Sequence, residues 1–337
     1  MKAPKKAPVR RFEFSTTTED LLKILNRNVA RVADNDFASG FVDVTDISTE
    51  SATDTIQAVF IFPEKNIPVA AVKKKLAEWI LEYKKVNGRN PSKQAKAEAK
   101  ADIIAKLELH IPTTFKSVYT IFRCVGTDLW EAFILTSSEK IVDSFSMFLP
   151  DGWVRGMSAY LDALDAVGGE GLDYNEDSDY RDFLTWLLYS AGSNSFKEFG
   201  DYAVTIGDCV SVADDDNFTT CVVSGDFIEA KSSIFGGKRV FNFEFAIEYN
   251  HSTEGQVVKL LADTSADIQS LTFNCDDVGM SFGGRFLSAY DDFMKFMHCA
   301  VHEFIKLRLD TDAWNDYNKV LKEWARGEIC VRAFDGV

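Results

Sequence analysis

Residues Asn90–Phe115 read NPSKQAKAEAKADIIAKLELHIPTTF. Lysines stand at 93, 96, 100 and 106 of a chain whose formal net charge is −15. Ser92 is placed to cap a helix, and Pro112 stops it. Within that helix Ala95, Ala99, Ile103 and Leu107 recur every four residues, a narrow seam of mostly small side chains. Lys93, Lys96 and Lys100, at i, i+3 and i+7, share one face. A second basic helix precedes it. Val69, Val72, Leu76, Ile80 and Tyr83 are expected to face inward, with the Lys73-Lys74-Lys75 run on the outer side. The link VNGRNP (Val86–Pro91) carries Gly and Pro and reads as a turn. Residues 69–110 are therefore expected to form a protruding basic helical pair.

The flanking segments are strand-like. IQAVFIF (Ile56–Phe62) reads as a buried strand, and SVYTIFRCV and WEAFILT flank Gly126-Thr127-Asp128 as a β-hairpin. SSEKIVDSFSMFLP reads as a capped helix packing through Ile141, Val142, Phe145 and Phe148. Further upstream, RRFEF is a short strand. A helix follows through Leu21, Leu22, Leu25, Val29 and Val32, capped at Thr16 or Thr17. FASGFVDV reads as another strand. Residues 1–12, with five basic side chains, are expected as a basic disordered arm, and residues 13–150 as an N-terminal α+β region.

Residues 151–337 are expected to form an acidic C-terminal α+β region. It opens on the acidic, Gly-bearing segment Leu164–Tyr180. The helix DYRDFLTWLLYSAG follows, then YAVTIGDCVSV, FTTCVVSGDF, RVFNFEFAIEY, VVKLLADTS and IQSLTFNC, the strands of an antiparallel sheet. The helices AYDDFMKFMHCAVHEFIKLRL and DAWNDYNKVLKEWARG close the chain. The fold class is thus α+β with mixed or antiparallel sheets.

Composition limits the function classes. With 46% hydrophobic residues and 27 Phe over 337 residues, the chain can bury a large core and is not intrinsically disordered. No apolar run approaches the ~18 residues of a membrane helix. Six cysteines form no C-x-x-C pair, and most of them are expected as buried free thiols. Charge is sorted along the chain. Lys65–Arg123 holds 13 Lys/Arg against 5 Asp/Glu, whereas Cys124–Ala230 holds 4 against 21. Such asymmetry points to a polyanion partner for one face. Clustered lysines neutralise phosphates without reading bases, and few Arg, Asn or Gln share that face.

Other motifs carry less. His298 and His302 have the i, i+4 spacing of metal ligands, but no third ligand is placed. Asp214, Asp215 and Asp216, followed by Glu229-Ala230-Lys231, resemble the acid…acid-x-Lys layout of some Mg²⁺-dependent nucleases. This makes an exonuclease the runner-up reading. No GxGxxG and no Gly-Lys-Ser/Thr occurs, so nucleotide-driven activity is not expected, and neither a cofactor nor a metal is assigned.

The sequence resembles the RdgC family, recombination-associated proteins of bacteria and their phage-encoded relatives. AVFIF and EKNIPVAAVKKKL are similar to the family's strand, lysine-rich turn and helix start. PSKQAKAEAKADI resembles its lysine helix, IPTTF its proline-aromatic motif, and TSSEKIVDSFSMFL its following helix. Beyond Pro150, FLTWLL, FNCDDVGMSF and GGRFLSAYDDFMKFMHCAVHEF are similar to its later segments. Thr113 stands where the family motif has arginine, Met147–Phe148 replace much of the basic end of that helix, and the N-terminal basic arm is extra. The resemblance implies a horseshoe-shaped subunit. Two copies would close into a ring around double-stranded DNA without sequence preference, and a RecA-type recombinase would lose access. It maps Lys93, Lys96 and Lys100 onto the family's lysines and Phe115 onto the aromatic that helps close the dimer. Lys73, Lys74, Lys75, Lys84, Lys85 and Arg89 complete the expected DNA-binding set. The expected location is cytoplasmic and nucleoid-associated, with no membrane partner. A third reading is an inhibitor whose acidic 124–230 region mimics DNA for a host enzyme.

Overall fold

The computed structural model describes residues 4–327, apart from 28–29, 34–35, 51–52, 151–154, 157, 169–175, 194–198, 215–217, 223–227, 250–255, 263–266 and 274–278. The chain begins with β1 (Lys6–Ala7), β2 (Arg10–Ser15), α1 (Thr18–Leu25), β3 (Ala30–Ala33), β4 (Asp36–Ala38), β5 (Gly40–Asp46) and β6 (Thr55–Glu64). Next come α2 (Val69–Asn87), α3 (Lys93–Glu108), β7 (Thr114–Gly126), β8 (Leu129–Ile134), α4 (Glu139–Ser146) and β9 (Arg155–Gly156). The remainder is α5 (Ala159–Ala166), α6 (Glu176–Gly192), β10 (Tyr202–Ala213), β11 (Phe218–Val222), α7 (Ile228–Phe235), β12 (Arg239–Tyr249), β13 (Gln256–Leu261), β14 (Ile268–Thr272), α8 (Phe282–Leu309) and α9 (Thr311–Arg326). The fold is α+β with antiparallel sheets.

The first sheet has the order β5-β6-β7-β8-β2-β9. Its strands alternate between two covered faces, which is why they read as apolar runs. Ile56, Ala58, Phe60, Val118, Phe122, Trp130, Ala132, Phe12 and Phe14 point into one core beneath α1 and α4. Ile121 and Phe133 point to the opposite face and join a larger core with α8. The β7–β8 turn forms as expected, with Asp128 left-handed at φ 55°.

The second sheet, β1-β14-β13-β12-β10-β11, packs Val210, Val212, Val240, Phe243, Phe245, Val258, Leu260 and Leu271 into that larger core. α8 is buried along most of its length between the two sheets. The Phe282 ring centroid lies 4.2 Å from Tyr119 on β7 and 5.5 Å from Phe273 beside β14.

Three expectations need correction. Part of residues 1–12 is not a disordered arm, because Lys6 and Ala7 pair with Thr272 and Leu271 at the edge of the second sheet. Ala7 and Val9 are buried there, and Val9 N donates to Ile268 O at 3.0 Å. Pro8 is tolerated at such an edge because no ladder donor is needed from it. The helix expected to run through Val32 ends at Leu25, where Asn26 caps it; residues 30–33 turn back as β3. Cys124, Cys209 and Cys299 are free but only half-buried.

Candidate nucleic-acid interface

The helical pair forms as an insertion between two neighbouring strands. β6 and β7 pair continuously from Thr55↔Arg123 to Glu64↔Thr114, and the chain leaves and re-enters at that last rung. At 1.5 Å per residue, α2 extends about 28 Å and α3 about 24 Å. Ser92 Oγ accepts from Ala95 N at 3.1 Å and starts α3 as expected. Gly88, at φ 65°, ends α2, and its N–H donates to Lys84 O. A side chain there would be strained, which explains glycine at this turn.

The seam of α3 is covered: Ala99 is buried, and Ala95, Ile103 and Leu107 are half-buried. α2 packs chiefly on α3. Of its expected inward positions only Val72 is buried, with Leu76, Ile80 and Tyr83 half-buried. Val69 is 67% exposed, contrary to expectation, because it sits at the root where the hairpin leaves the sheet. The hairpin therefore stands out from the body, held by a thin seam.

Lys73, Lys74, Lys75, Lys84, Lys85, Arg89, Lys93, Lys96 and Lys100 are all exposed. None of the nine side chains makes an ion pair or hydrogen bond among the described residues. Several cations elsewhere are paired, as in Arg123–Glu131 at 2.7 Å, Arg239–Asp182 at 2.6 Å and Lys116–Glu64 at 2.7 Å. Residues 69–108 hold ten Lys/Arg and five Asp/Glu, net +5, so the rest of the chain carries −15 − 5 = −20. Residues 84–100 alone hold six cations and one acid, Glu98. Positive charge is concentrated at the distal end, where no carboxylate of the body pairs with it among the described residues.

Phe115 lies at the hairpin's root on β7, 48% exposed, with its ring edge-on to Phe37 at 5.1 Å. It forms part of an apolar rim and is not in the cationic set.

The nuclease residues do not assemble among the described residues. Asp215 and Asp216 lie outside them. Asp214 Oδ2 is 3.5 Å from Lys238 Nζ. Glu229 and Lys231 stand on α7, a helix that follows β11. The Lys231 amine rests 4.8 Å over the Trp324 ring. No group of three His, Cys, Asp or Glu side chains that could hold a metal occurs among the described residues, so His298 and His302 gain no third ligand there. Nor is any described helix long and apolar enough to cross a membrane.

Sequence reasoning missed Asn90 beside Arg89 at the turn; its placement between Gly88 and Pro91 was the available signal. It also missed that the hairpin joins two adjacent strands. Comparison with protein-family models finds no match for the chain, and neither does comparison with the curated proteins.

Proposed function

We propose that the chain binds double-stranded DNA without base-sequence preference, using the helical hairpin to grip backbone phosphates. The observation that carries this reading is the set of nine exposed cations, unpaired among the described residues, on an insertion of net charge +5 in a chain of −15. Each lysine brought to a phosphate releases a counterion, and this entropy drives association. The strongly negative remainder repels the duplex everywhere else, so binding is confined to the hairpin.

The encircling homodimer implied by the RdgC resemblance is the finer form of the proposal. In it, two hairpins face one duplex, Phe115 supplies apolar contact to the second copy, and a RecA-type recombinase is kept off the bound segment.

The test replaces Lys93, Lys96 and Lys100 together by Glu and titrates linear and circular duplex against salt. The wild-type chain is expected to lose affinity steeply with salt. In the variant the slope of log K against log[salt] should fall by about 3 in magnitude, roughly one per lysine removed. A retained fold with unchanged affinity would remove the hairpin from the interface. Equal off-rates from linear and circular duplex would argue against encirclement while leaving phosphate binding intact.

A further inference from the structure

The hairpin's turn is chemically unlike its helices. Of the ten cations between Val69 and Glu108, only Arg89 is an arginine, and it stands at the tip. The neighbouring polar side chains are occupied. Asn87 Nδ2 donates to Tyr83 O at 3.0 Å, Ser92 Oγ caps α3, and Gln94 Nε2 donates to Glu98 Oε1 at 3.1 Å. Arg89 and Asn90 are exposed and make no side-chain hydrogen bond among the described residues. Pro91, by contrast, is buried and holds the base of the turn, while a Cβ on Gly88 would meet nothing within 4 Å. The tip is therefore a bare single-chain loop presenting one guanidinium and one amide.

Two packed helices are too wide for a groove of about 6 Å, but a single-chain turn with one extended side chain is not. Lys84 and Lys85 end one helix, and Lys93 and Lys96 begin the other. If the turn meets the minor groove, these lysines reach the phosphates on its two sides. A narrow minor groove, as in A-tracts, has an enhanced negative potential that attracts an inserted cation. Arginine suits this position better than lysine, because its guanidinium gives up water more readily than an ammonium.

We infer that Arg89 enters the minor groove and reads its width, so the hairpin prefers A·T-rich, narrow-groove duplex although it reads no base sequence. This inference rests on the duplex-binding reading above. Asn90, placed beside it, meets the acceptor-rich floor of the same groove.

The experiment measures anisotropy of the full chain on two labelled duplexes of equal length, one an A-tract and one alternating G·C. The proteins are wild type, Arg89→Lys and the Lys93/Lys96/Lys100→Glu variant. The wild-type chain is expected to favour the A-tract by about fivefold. Arg89→Lys keeps the charge, so its salt slope should match wild type while the preference falls towards unity. Equal wild-type affinities, or a preference that survives in Arg89→Lys, would overturn the role given to Arg89 and leave the hairpin's phosphate contacts standing. Binding to neither duplex, or binding that the triple charge reversal does not weaken, would overturn the duplex-binding reading itself.

Discussion

Asp267, just before β14, is a fully buried carboxyl at the first turn of α5. Its Oδ2 accepts from Tyr160 N at 3.2 Å and from the Tyr180 hydroxyl at 3.1 Å. Burial pushes its pKa up from 3.8 to about 6, against these hydrogen bonds, which favour the charged form. The folded chain thus binds a proton more tightly than the unfolded chain. Stability from this group is fully present below about pH 4 and declines as pH rises through about 6, by roughly 3 kcal/mol at the upper limit. Urea denaturation between pH 4 and pH 7, with Asp267→Asn as the partner protein, checks this. The wild-type chain should lose stability relative to the variant as pH rises across that interval. A constant difference would mean that the carboxyl is not shifted upward.

Among the elements, the hairpin is the separable one. Glu64 and Thr114 are paired across β6 and β7, so residues 65–113 can be replaced by Asn-Gly, the two-residue connection such strands accept. The excised helices bury little beyond Val72, Pro91 and Ala99. The shortened chain is therefore expected to keep its circular dichroism spectrum, to melt within a few degrees of the parent, and to lose all duplex affinity. Loss of the fold would mean that the hairpin braces the sheet. The sequence made α2, α3, α4, α6 and the β7–β8 hairpin legible because each carries an apolar period, with Gly88 ending α2, Ser92 starting α3 and Asp128 in the hairpin turn. It failed at α7, which buries only Ala230 and Ile234 and so shows no complete stripe. It overran α1 because Val32 keeps a helical spacing to the apolar stripe although it stands on β3. The first error comes from a missing local pattern, the second from tertiary packing overriding one. For the candidate site, exposure of the lysines was legible from their outward spacing. Their freedom from carboxylates was not, since the acids they might have met are distant in sequence.

At the scale of the whole molecule, the two sheets share one apolar core, and the first sheet is also tied by charge to the helices packed against it. Glu131 on β8 is 3% exposed and holds two arginines, Arg11 from β2 and Arg123 from β7. Arg11 continues to Asp162 on α5 at 2.8 Å, and Arg123 to Asp291 on α8 at 2.5 Å. The network thus ties the face of the first sheet to the two helices that pack against it. α8 also comes close enough at Gly283 for its N–H to donate to Gln57 Oε1 on β6 at 2.7 Å. Such a molecule should unfold as one unit, with tryptophan fluorescence and circular dichroism reporting the same midpoint. Glu131→Gln leaves two buried guanidinium groups with one carboxylate each. Breaking a buried pair by removing one partner costs about 3–5 kcal/mol, so the single urea transition should shift to much lower denaturant without splitting. Two resolved transitions in either protein would mean that each sheet folds on its own and that the charges between the first sheet and its helices only decorate a contact formed afterwards.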